Sequence, residues 1–163
     1  MNGRLSLTAS VIVTASLVVG FGAGCADKSM SKMGSGDVVA DRQRVMKLQG
    51  ASWADIQAKA KAGNIDAIAV NAETLAMTAR QIPALFPEGS LTDKSKAKPD
   101  VWQKWPEFQA AAKNLETQSE KLRDAARAKN EQLTQDLVKD FGRTACGTCH
   151  TPFRQPPPPQ PRS

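Results

Sequence analysis

Residues 144–159 read TACGTCHTPFRQPPPP. Within them Cys146, Cys149 and His150 stand in the spacing C-x-x-C-H, and the 163-residue chain contains one histidine. Leu133, Leu137, Phe141, Ala145 and Cys149 step by four into the motif. That spacing places them down one side of a helix. On such a helix Cys146 and Cys149 are i and i+3, and Cys146 and His150 are i and i+4, so all three project to one side. Prolines follow, and residues 155–163 cannot continue a helix because proline lacks the donor and fixes φ.

Upstream, three more segments carry apolar residues at helical spacing. The first runs from about Asp37, a suitable N-cap, to Lys61. Val38, Arg42, Val45, Met46, Gln49, Trp53 and Ile56 share its broad face, and Gly50 is expected to weaken, kink or split it. The second follows Asn64 as cap. Ile65, Ile68, Ala72, Leu75, Ala79 and Ile82 alternate steps of three and four, and Pro83 ends the helix. A polar loop, EGSLTDKSKAKPD over 88–100, leads to the third, which starts near Trp105-Pro106. Its stripe is Trp105, Phe108, Ala112, Leu115, Ser119, Leu122 and Ala126. A break at Lys129-Asn130 opens the fourth helix, which bears the motif. No β-hairpin signal competes, hydrophobic residues make up 40% of the chain and Tyr is absent. These elements predict an all-α domain, an antiparallel up-and-down four-helix bundle over 38–154.

The N-terminus reads differently. Arg4 precedes an apolar run from Leu5 to Phe21 and then small residues, the layout of a secretory signal peptide over 1–24; an uncleaved N-terminal anchor is the other reading. Cys25 follows Gly22-Ala23-Gly24 and resembles the lipidated cysteine of a bacterial lipobox, although Gly22 stands where that pattern prefers Leu. Ordinary cleavage near Gly24 or Ala26 is the alternative. Residues 25–37 read as a flexible tether and 155–163 as a proline-rich, disordered tail. The protein is therefore expected in the bacterial periplasm or envelope, lipid-anchored through Cys25 if that residue is lipidated.

Export bears on the cysteines, because two close thiols in an oxidising compartment require oxidation or a covalent use. The formal net charge is +6, about +5 once the leader and its Arg4 are removed. The lysines are scattered with no basic run interleaved with aromatics, so nucleic acid is not expected as a partner. A positive surface suits an acidic redox partner.

C-x-x-C-H on a helix meets the needs of haem c: two thiols for thioether bonds and an imidazole for the iron. A thioredoxin-like dithiol calls for a βαβ context, which is missing. A structural zinc site takes four ligands, and Cys25 is far from the other three. Haem attachment is the best reading, with one haem c per chain.

Four stretches then carry a resemblance to a known family. DRQRVMKLQ over 41–49 is similar to an R-Q-x-x-Met/Leu segment. AETLAMTARQIPALFPEGS over 72–90 is similar to a second helix and its turn. KPDVWQKWPEFQAAAKNL over 98–115 is similar to a K-P-x-hydrophobic opening of a third helix. CGTCHTPFR over 146–154 matches C-x-x-C-H-x-x-F/Y-R/K. Together, over Val38 to Arg154, the chain resembles the class II cytochromes c, the cytochrome c′ family, whose four-helix bundle carries covalent haem c near its C-terminal end.

The resemblance implies roles. Cys146 and Cys149 would hold the haem, and His150 would be the proximal iron ligand. Arg42 and Gln43 would sit at the haem edge, Arg42 pairing a propionate. Arg154 would approach the haem or cap its helix. Met46 would face the sixth coordination position, with Met77, Met30 and Met33 as other sulfur donors. Family members divide between Met-ligated electron carriers and five-coordinate proteins that bind NO or CO, and a Met at this place occurs in both. Single-electron transfer with His150 and Met46 as axial ligands is the first reading, because a thioether suits electron transfer. Gas binding is the alternative, with Met46 as core filling the plain reading of that residue, and a structural helical module without haem is a third reading, which C-x-x-C-H disfavours. No catalytic set is seen and one histidine cannot be both ligand and general base, so an enzyme in the strict sense is not expected. A homodimer through the first two helices is open, with Val39 and Ile68 as candidate contacts.

Overall fold

The computed structural model describes residues 36–157. The leader, Cys25, most of the tether with Met30 and Met33, and residues 158–163 of the tail lie outside the described residues. Helix α1 spans Val38–Lys61. The Asp37 carboxylate caps it, accepting from Val39 N at 2.9 Å and Ala40 N at 3.2 Å. Asp37→Ala is therefore expected to lower stability by about 1 kcal/mol. In a thermal melt that is a fall of roughly 2–4 °C for a chain of this size; an unchanged melt would show that the cap carries no net stability. The helix runs through Gly50 without interruption, so it is not split there. One glycine costs about 1 kcal/mol, and the packing of Met46, Trp53 and Ile56 on either side offsets it.

Helix α2 spans Ile68–Gln81. Asn64 does not cap it, contrary to the sequence expectation. The chain instead turns at Gly63, whose φ is +71°, and backbone bonds from Ile65 N to Gly63 O and from Ile68 N to Ile65 O close the turn. The stripe Ile65, Ile68, Ala72, Leu75, Ala79 and Ile82 is buried throughout. Each large side chain in it contributes roughly 1.5–3 kcal/mol by leaving water. A 3₁₀ turn at Pro83–Leu85 follows. One helical turn, α3 (Asp100–Gln103), precedes α4 (Trp105–Arg127), which has Pro106 in its first turn. From Phe108 to Ala126 the third stripe is buried as expected, with Trp105 half-buried.

Lys129, at φ +53°, breaks the chain as the sequence suggests. The Asn130 side chain then accepts from Leu133 N to cap α5 (Glu131–Phe141). A five-residue π-helical turn, Gly142–Cys146, leads without a break into α6 (Gly147–Phe153). Leu133, expected on the inner stripe, is 46% exposed, and Thr134 is buried in its place. The cap sets that phase: Thr134 Oγ1 donates to Asn130 O at 2.7 Å, so its hydroxyl is satisfied within the helix.

Helix α1 packs on α2 and α5, and α4 packs on the same two from the other side, which closes a four-helix bundle. Among the described residues there is no strand, only an isolated antiparallel bridge between Ala97 and Arg154. Ion pairs from Arg80 to Glu116 and Glu120, and from Arg123 and Arg127 to Glu73, tie α2 to α4. Surface pairs of this kind add little energy. Val39 and Ile68 are buried inside the bundle, which removes them as dimer contacts. The large apolar residues left exposed on α1 and α2 are Leu48, Val70 and Met77.

Candidate haem site

A cavity of about 710 Å³ lies between α1, the 86–99 connection, α4 and the C-terminal helix. Cys146, Cys149 and His150 line one side, and Met46, Gln49, Gly50 and Trp53 from α1 line another. Leu75, Val101, Phe108, Leu115 and Phe153 make up much of the rest. Arg42, Gln43, Lys47, Lys96 and Arg154 also border it, and among the described residues no acidic side chain does. The residues singled out in the sequence at 42, 43, 46, 146, 149, 150 and 154 therefore meet at one cavity.

Burial pushes both thiols up: Cys146 above its ordinary value, and Cys149, further raised by its neighbour Cys146, to about 11. Both are half-buried and free. Protonated thiols in an apolar wall are poor nucleophiles, which is opposite to a reactive dithiol. Crowding by protein, then the positive charge of Arg154, lowers the His150 pKa and favours the neutral imidazole that binds metals. Among the described residues no group of three or more His, Cys, Asp or Glu gathers to hold an ion directly.

Arg42 borders the cavity, as the resemblance implies, and it also makes contacts of its own within the chain. It is buried, and its donors are engaged by the chain after α2. Nε donates to Leu85 O at 2.6 Å and Nη1 to Ser90 O at 3.1 Å, while Nη2 donates to Ser90 Oγ. The guanidinium also lies 4.1 Å from the centre of the Phe86 ring, a cation–π contact. Gln43 is exposed and reaches Lys94 O at 3.5 Å. Met77 is 54% exposed and does not line the cavity, which removes it as a sulfur donor to the site. Arg154 ends α6, and its backbone pairs with Ala97.

The sequence reading treats 88–100 as a plain polar loop. Here it forms a wall, with Ser95, Lys96 and Ala97 lining the cavity. It is held by Arg42, by Lys98 N to Phe153 O at 2.9 Å and by Gln155 N to Lys96 O at 2.8 Å. Trp102 Nε1 adds bonds to Phe86 O and Pro87 O, both at 3.1 Å. The tail thus begins on fixed backbone pairing at Gln155. Nothing periodic marks these contacts in the sequence, because they depend on partners from 15 to more than 50 residues away.

The donor set fits haem c. Two thiols and an imidazole border a large apolar space, and the cations at its edge with no acid among them suit two carboxylate propionates.

A family model described as Cytochrome C' matches residues 37–154. A cytochrome c-556 from Agrobacterium fabrum is 33% identical over 120 residues, 71% of this chain and 80% of that protein. A cytochrome c′ from Pararhodospirillum photometricum is 35% identical over 88 residues, 53% of this chain and 70% of that one. The nitric oxide complex of a mutant cytochrome c prime from Alcaligenes xylosoxidans matches in fold, with a TM-score of 0.66 and 22% identity over 75% of this chain and 96% of that one.

Proposed function

The chain belongs to the cytochrome c′ family, and from that premise we propose that Cys146 and Cys149 hold its haem c, that His150 is the proximal iron ligand, and that a distal face shielded by Met46 takes a small diatomic gas such as NO or CO. The family binds one haem c per chain. When bound, haem c supplies an iron that takes a further ligand or passes one electron.

One observation carries the gas reading. Met46 and Gly50 sit one turn apart on the cavity wall, and a Cβ at Gly50 would meet nothing within 4 Å. A bulky apolar side chain thus stands beside a gap, in a cavity where no acid and no second histidine is at hand to move protons. An uncharged, weakly polar guest suits such a wall. The nitric oxide complex of the Alcaligenes xylosoxidans relative supports the same direction.

The second reading, electron transfer with Met46 as the second axial ligand, rests on Met46 being the one thioether among the described residues that lines the cavity. The cationic edge formed by Lys47, Lys96 and Arg154 suits an acidic redox partner under either reading. Among the described residues no helix is long and apolar enough to cross a membrane. We place the protein in the bacterial periplasm, with Cys25 as the residue that would carry a lipid anchor.

The visible spectrum separates the two. A high-spin ferric protein that binds CO after reduction is the expected result. A low-spin ferric spectrum with the sulfur-to-iron band would establish Met46 ligation instead. Under the gas reading, a ligand must draw Met46 away from its contacts with the core, which costs about 1–3 kcal/mol. Met46→Ala should then tighten CO binding by about tenfold and leave the ferric spin state unchanged. A change from low to high spin in that variant would overturn it.

A further inference from the structure

Phe141 and Phe153 are both buried, and Phe153 packs edge-on against Phe108 with ring centres 5.4 Å apart. The two phenylalanines are twelve residues apart. In an uninterrupted α-helix their side chains would point about 120° apart. With one residue looped out by a π turn they differ by only about 20°. The π turn at Gly142–Cys146 is therefore what brings the second half of this helix, with Cys146, Cys149 and His150, back to the face that α5 buries.

Such turns are rare and weak on their own, and this one is braced from α4. Asn114 Nδ2 donates to Thr144 O at 2.7 Å and reaches Thr148 Oγ1 at 3.3 Å. Thr148 Oγ1 donates in turn to Ala145 O at 2.7 Å. Gln118 Nε2 reaches the Asn114 amide oxygen at 3.5 Å, which orients the amide. The Gly147 N–H bonds to Gly142 O, five residues back, which closes the turn.

We propose that Asn114 is a positioning residue: its amide fixes the π turn, and through it the direction in which Cys146, Cys149 and His150 enter the cavity. The inference rests on the haem assignment made above. A hydrogen bond from a neighbouring helix to the element carrying an axial ligand tunes a metal through that ligand's orientation.

The test compares Asn114→Ala and Asn114→Asp with Asn130→Ala in the full-length protein as purified. Asn130→Ala removes the α5 cap on the same helix and costs similar stability without touching the π turn. Two quantities are read: the midpoint potential, and amide exchange over residues 145–150. Both Asn114 variants should shift the potential and exchange these amides about tenfold faster, the effect of losing one hydrogen bond. Asn130→Ala should leave both at wild-type values. Wild-type potential and exchange in the Asn114 variants, or the same changes in Asn130→Ala, would overturn the proposal. Absence of covalent haem from the wild-type protein would instead sink the haem assignment, and amide exchange would still decide the role of Asn114.

Discussion

Cys146→Ser/Cys149→Ser is expected to abolish covalent haem completely, with no haem-stained band surviving denaturing electrophoresis. Both thiols border the cavity and neither is in a disulfide. Burial raises the pKa of each, which is opposite to a dithiol poised for exchange. Either single serine variant should keep haem through one thioether. Its pyridine haemochrome band should shift as one vinyl group is restored to conjugation. Two linked consequences follow for the double variant. His150 alone would hold iron only by a coordinate bond, so haem should exchange into a competing haem-binding protein. Loss of the bound group also removes its contribution to the folded state by mass action, so the melting temperature should fall together with the haem. Haem that stays covalently attached to the double variant would overturn the assignment of both residues.

The parts of this molecule that were legible in its sequence are those set by local rules. The stripes of α2 and α4 were readable because each inward residue is apolar at helical spacing, and nearly all of them are buried. Asp37 was readable because a cap needs only its own next residues. The π turn was not readable. Steps of four from Leu133 to Cys149 fall between the 3.6-residue period of an α-helix and the longer period of a π turn. Read as a plain helix they put Leu133 inside, whereas the Asn130 cap turns Thr134 there. Asn64 misled for a related reason: it is a good cap by type, but Ile65 is needed in the core before α2 begins. The cavity was half-legible. Its motif side and the Arg42–Met46 segment stood out by residue type, while the wall at Ser95–Ala97 depends on contacts that no short window contains.

Arg42 makes a tertiary contact beside the role that the resemblance implies, and Arg42→Ala is expected to cost about 3 kcal/mol. Sequence resemblance assigns it to a haem propionate. In the fold its guanidinium is buried and given to Leu85 O, Ser90 O and Ser90 Oγ, with Ser95 Oγ at 3.5 Å. Burial lowers its pKa, but an arginine stays charged at any physiological pH. A hydrogen bond from a charged donor contributes roughly 1.5–3 kcal/mol, and such terms are not additive within one fork, so about 3 kcal/mol is the whole effect. For a chain of this length that lowers the melting temperature by roughly 6–12 °C. The loss should be local in its first effect, because the released carbonyls belong to the connection that forms one wall of the cavity. Trypsin should then cut the folded variant at Lys94 or Lys96, sites that the Arg42 fork and the Ala97–Arg154 pairing now hold in place. Arg42→Lys separates the two roles. A lysine keeps the charge but offers a compact ammonium in place of a planar fork. If Arg42 acts as the clamp, the lysine variant should melt and be cut nearly as readily as the alanine variant. If pairing with a propionate dominates, the lysine variant should keep wild-type stability and the trypsin sites should stay closed.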